Sequence, residues 1–187
     1  MTNRMRTGFV AGVVIAALLL MGAGFPAKGV PPKEWATSVC TAVNDWVTTT
    51  KARAADLDVE LSAEDITLRD VRNALVAYMG EVADATTDAI DAMDAAGVPA
   101  TPKGTRAADT LITSFREIRT SLRKLQNQAE DISIRREAKA LRQVNALSRQ
   151  VDEEFATFRD ALARLKKLDP NHKLRKAFRA DAACQAL

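Results

Sequence analysis

The sequence predicts an all-α fold: an antiparallel, up-down-up-down four-helix bundle with a short fifth helix at its C-terminal end. Three observations carry this expectation. The 187-residue chain is rich in Ala, Leu, Arg, Asp and Glu, only 5% aromatic, and has no alternating β-branched run outside the N-terminus. Apolar residues recur at steps of three and four through most of the chain, which aligns them on helix faces. Breakers such as Gly97-Val98-Pro99 and Asp169-Pro170-Asn171 fall between the periodic segments. A chain of this length suits one domain with a real core.

The N-terminal segment, residues 1–24, reads as a targeting element. Arg4 and Arg6 precede the apolar run Phe9 to Leu20, and small residues follow at Gly22, Ala23 and Gly24. That is the layout of a Sec signal peptide, with Gly22 and Gly24 permitting a cut before Phe25. The run from Phe9 to Phe25 is also almost long enough to span a bilayer if left uncut. The arginines are not adjacent and no Cys follows the run, which argues against twin-arginine export and bacterial lipidation. In either case residues 25–187 form an extracytoplasmic domain, secreted or anchored.

The first helix is expected from about Pro32 to about Arg53, with Trp35, Val39, Val43, Trp46 and Val47 on one face. Pro suits a helix start, and Thr48-Thr49-Thr50 weakens the end. Ala54 to Leu61 reads as a connection. Ser62-Ala63-Glu64-Asp65 and Thr67-Leu68-Arg69-Asp70 offer two starts for the second helix, whose stripe is Leu68, Val71, Leu75, Met79, Val82, Ile90 and Met93. It stops at Gly97-Val98-Pro99. The third carries Ala108, Leu111, Ile112, Phe115, Ile118, Leu122, Leu125 and Ala129.

The fourth, Ser133 to Leu168, contains no Gly or Pro, and the other helices are expected to pack against it. Its stripe runs through Ala138, Leu141, Val144, Leu147, Val151, Phe155, Phe158, Leu162 and Leu165. Leu141, Val151, Phe155 and Leu162 are expected in the core, and Asp131 or Ser133 as its cap. The fifth helix runs from His172 to about Cys184.

Cys40 and Cys184 are the only cysteines. An even count in an exported chain reads as one disulfide; two buried thiols are the alternative. Four helices with short connections return the chain to its starting end, so both cysteines arrive together.

No residue set satisfies the geometry of a catalytic or metal site, so an enzyme is not expected and no cofactor is implied. His172 is the lone histidine and has no converging partner. Asp84, Asp88, Asp91 and Asp94 form an acidic stripe, but a straight helix spreads them too far to enclose one ion. The formal charge of +3 falls to +1 without Arg4 and Arg6.

The charge is unevenly placed: Ala55 to Ala96 holds eleven acids and two bases, Lys103 to Ala180 nineteen bases and ten acids. Arg116, Arg119 and Arg123 share one face of the third helix; Arg135, Lys139, Arg142 and Arg149 share one face of the fourth. If these faces point at the acidic stripe they cancel within the bundle. If they adjoin in solvent, they form a surface for anionic lipid, wall polymer or an acidic partner protein. Nucleic acid is not expected, since export and the lack of interleaved aromatics argue against it.

Trp35, Val39-Cys40 and Ala183-Cys184, behind a signal segment, resemble the plan of small exported helical proteins of actinobacteria. The resemblance implies an exported helical fold and carries no activity; the lipid-attachment cysteine of many such proteins is missing here. The leading expectation is a non-catalytic exported protein that binds at the cell envelope. A second is an anchored, sensor-type ectodomain, and a third an enzyme without a recognisable site.

Overall fold

The computed structural model describes residues 29–151, 168–169 and 171–185. The N-terminal targeting segment lies outside the described residues. So do Phe155, Phe158, Leu162 and Leu165 of the expected fourth-helix stripe. The described residues are helical, with no strand among them; an isolated parallel bridge joins Val30 to Pro99. The helices are α1 (Pro32–Leu61), α2 (Leu68–Ala95), α3 (Gly104–Glu130), α4 (described over 137–151), α5 (Lys173–Ala180) and α6 (Ala182–Gln185).

Helix α1 is a full 30 residues, and the expected connection Ala54–Leu61 is helical. Local propensity permits this, since the segment has no Gly or Pro, and Ala, Leu and Glu favour helix. The three threonines cost only a few tenths of a kcal/mol each, too little to end a helix held by its neighbours. Leu57 packs on the core, and Arg53 reaches Glu81 of α2 at 3.0 Å.

Of the two candidate starts for α2, Thr67 is used. Its hydroxyl accepts from the Asp70 N–H at 3.3 Å, while the Asp70 carboxylate accepts from the Thr67 N–H at 3.0 Å. This reciprocal pair satisfies two donors a helix start leaves open. The hydroxyl and N–H of Thr67, with Arg69 nearby, hold the Asp70 carboxyl below its ordinary pKa of 3.8.

At its other end α2 closes on Gly97, whose φ of 70° is left-handed, where a side chain costs energy. The following loop is stitched to the lead-in of α1: Val30 N–H donates to Val98 O and Ala100 N–H to Val30 O, at 2.7 and 2.8 Å. Gly104 opens α3 where a Cβ would sit 1.9 Å from Pro99 O, so no other residue fits without moving the loop.

Helix α2 packs on both α1 and α3. Cross-helix pairs set the direction: Asp94 meets Arg116, Asp84 meets Arg123, and Gly80 faces Gln126. Rising numbers on one helix match falling numbers on the other. All eight expected stripe residues of α3 are buried. The core comes chiefly from α1, α2 and α3, and the described part of α4 adds Ala140 and Leu147. The rest of the stripe expected to organise the others, from Phe155 to Leu165, lies outside the described residues.

Helix α4 also starts later than Ser133. Its buried side runs through Ala140, Val144, Leu147 and Val151, with Leu141 56% exposed. The expected core position of Leu141 is thus wrong. Two apolar sets fit helical spacing at this start, and the one led by Ala140, at 1% exposure, is turned inward. A small side chain lets the helix approach closely. Before the helix, Ser133 Oγ accepts from Arg136 N–H at 3.2 Å, and the Gln143 amide bonds Ser133 N–H and Asp131 O, both at 3.0 Å.

The expected fifth helix is broken at Asp181, which has extended backbone angles (φ −101°, ψ 127°) and is buried. Its carboxylate accepts from the Ala183 N–H at 3.0 Å and from the Thr37 hydroxyl of α1. An aspartate that bonds the chain ahead favours a turn over a continuing helix.

Candidate functional surfaces

One end of the molecule is tied together by links that span much of the chain. The Cys40 and Cys184 sulfurs are at bonding distance, 2.08 Å, with Cα atoms 5.0 Å apart. Trp35 Nε1 donates to Gly97 O at 2.9 Å, and its ring meets Phe178 edge-on at 5.9 Å. The Asn44 amide donates to Ala183 O. Nothing in the residue order around Asn44 marks it for this bond. Asp181 carried a faint signal, being an acid just ahead of a short Ala-Ala-Cys turn. Deeper in, Trp46 Nε1 donates to Thr86 Oγ1 at 3.0 Å, and that hydroxyl donates to Val82 O at 2.7 Å. A polar atom within a buried stripe is thereby satisfied.

His172 is exposed, at a left-handed φ of 55°, and no side-chain bond caps α5 from it. The cap bond comes from Asp169, whose carboxylate accepts from Arg175 N–H at 2.8 Å. No group of three metal-ligating side chains occurs among the described residues, and none of their helices is long and apolar enough to cross a membrane. Burial also pushes the Tyr78 phenol up. The acidic residues Asp45, Asp84 and Asp88 rim an open groove of about 490 Å³ between α1 and α2, floored by Ala42, Ala85 and Ala89.

The two basic stripes meet different fates. On α3, Arg116 pairs with Asp94 at 3.2 Å and Arg123 pairs with Asp84. Arg123 also bonds the Gln126 side chain at 3.0 Å. Arg119 lies between them, half-buried. On α4 and its lead-in, Arg135, Lys139, Arg142 and Arg149 are all exposed. None of the four forms an ion pair among the described residues. From Ile132 to Val151 the chain has five bases and one acid, Glu137.

Three of those bases, Arg135, Arg136 and Lys139, stand at or just before the first turn of α4. The helix dipole disfavours cations there by a few tenths of a kcal/mol each, and the unpaired N–H groups of a helix start favour an anion. Comparison with family models, curated proteins and solved structures finds no match for this chain.

Proposed function

We propose that the chain is an exported, non-catalytic protein that binds an anionic component of the cell envelope through the basic side of α4. The observation that carries this reading is the contrast between the stripes: the arginines of α3 are partly spent on α2, while the bases of α4 face solvent without an ion-pair partner among the described residues. Exposed like charges held on one helix raise the local concentration of an oppositely charged ligand. Export rests on the N-terminal Arg4/Arg6, apolar run and small-residue order, and on a cysteine pair that suits an oxidising compartment. The likeness to small exported actinobacterial helical proteins points the same way.

In this reading the long helices form an up-down-up-down four-helix bundle. The pairings of α1 with α2 and of α2 with α3 agree with it. So does the placement of Cys184 beside Cys40, at the end to which the fourth helix of such a bundle would return the chain.

The test compares two triple variants of equal charge change in the full chain. Binding is measured to vesicles of phosphatidylglycerol and phosphatidylcholine, and to soluble polyphosphate, at low and physiological salt. Replacing Arg135, Lys139 and Arg142 with Gln weakens binding to the anionic probes several-fold more than replacing Arg116, Arg119 and Arg123 with Gln. Equal weakening would mean that only net charge matters, and the assignment to α4 would be lost.

A further inference from the structure

The basic side of α4 also carries apolar surface that charge alone does not explain. Leu141 is 56% exposed, Ala138 is exposed one turn before it, and Ile134 is half-buried just ahead of the helix. Arg135, Lys139 and Arg142 lie to one side of them on the solvent sector, and all three are exposed. We propose that this face lies on a bilayer of anionic phospholipid, with Leu141 entering the acyl boundary while the bases hold the headgroup phosphates. The inference rests on the reading above and names its partner.

Three considerations select a bilayer. A soluble polyanion rewards the cations only, and a leucine gains nothing from it. A membrane surface rewards both, because apolar burial and attraction to anionic headgroups act together on a helix whose exposed apolar residues border its bases. Long Arg and Lys stems lie along apolar surface while their charged ends stay among the phosphates, so Arg135, Lys139 and Arg142 need not leave the headgroups when Leu141 descends. The face is also placed to reach a surface. It sits where α3 ends and α4 begins, about 40 Å along the 27-residue α3 from the disulfide end, so the C-terminal helices do not cover it.

The experiment uses the full chain carrying Leu141→Trp, mixed with vesicles whose acyl chains bear bromine. The two native tryptophans are 1% and 4% exposed, so the new signal is read as the difference from the unsubstituted chain. The introduced indole shifts its emission to the blue and is quenched on phosphatidylglycerol vesicles, but not on phosphatidylcholine vesicles, to which the N-terminal apolar segment alone can attach.

A second variant, Leu141→Gln, lowers the ratio of anionic to neutral vesicle binding up to about tenfold, the value of moving a half-exposed leucine into hydrocarbon. It leaves binding to soluble polyphosphate unchanged. An indole that stays in water on bound anionic vesicles overturns the bilayer inference, as does an unchanged ratio for L141Q. The reading of an anionic partner then still stands on the polyphosphate result. If the Arg135, Lys139 and Arg142 variant binds both probes like the unsubstituted chain, that reading fails as well.

Discussion

Around Cys40 the molecule is tied by polar and covalent bonds between residues far apart in the chain, whereas around Leu61 and Arg135 the polar links are mostly close in sequence and the long-range contacts are chiefly apolar packing. The disulfide closes a separation of 144 residues, Trp35 bonds Gly97 across 62, and Thr37 meets Asp181 across 144. At the opposite end the links are the Thr67–Asp70 capping box, the Ser133 and Gln143 turn, and ion pairs such as Arg53–Asp56. Val59 there is 74% exposed. The difference separates two uses of stability. One end carries the constraints that select a single arrangement of helices, and the other presents charge and apolar surface that nothing within the described chain covers.

Breaking the tied end has the largest effect. Trp35→Ala empties a fully buried site and removes both the Gly97 bond and the Phe178 contact, so urea unfolding should register a loss of about 3–5 kcal/mol. A loss below 1 kcal/mol would show that this end is not where the fold is held.

Next comes the covalent tie. Intact mass of the oxidised chain should lie about two units below the reduced form, one hydrogen per cysteine. Replacing Cys40 and Cys184 by Ser should cost about 2–5 kcal/mol. It should also raise amide exchange in α5 and α6 far more than in α2 and α3. Uniform exchange across all helices would mean the bridge does not act locally.

The capping box sharpens the comparison from the other side. Thr67→Ala should cost about 1 kcal/mol, a local loss read as fraying of the first turn of α2. Its pH dependence has a definite sign. The folded pKa of Asp70 is lowered, so its contribution is full above the unfolded carboxylate value and is lost as pH falls through the folded one. The penalty of T67A, measured by thermal melts across that acid range, should therefore shrink as pH drops; a penalty that grows in acid contradicts the assignment.

Smallest of all, Val59→Ser should change stability by less than about 0.5 kcal/mol. A larger loss would reveal a contact on the end of α1 and weaken the contrast between the ends.

Much of this protein was legible in residue order because helical periodicity is a local property. The α3 stripe from Ala108 to Ala129 is buried throughout, the α2 stop at Gly97-Val98-Pro99 holds, and the Cys40–Cys184 pair stands at bonding distance. Where local signals offered two answers, tertiary contacts chose between them. Ala54–Leu61 has adequate helix propensity and no breaker, and packing through Leu57 and Arg53 kept it in α1. Ala138 with Leu141, and Ala140 with Val144, are equally good helical pairs, and only the approach of α4 to the core turned the second inward. The charge stripes are fixed by spacing, yet whether each is neutralised depends on which helix lies beside it. Asp94 and Asp84 reached Arg116 and Arg123 because α2 packs on α3, and the bases of α4 meet no such partner among the described residues. Sequence by itself determined which residues share a helix face; the tertiary structure decided which faces meet, because that choice depends on the combined packing of several helices and on no single one of them.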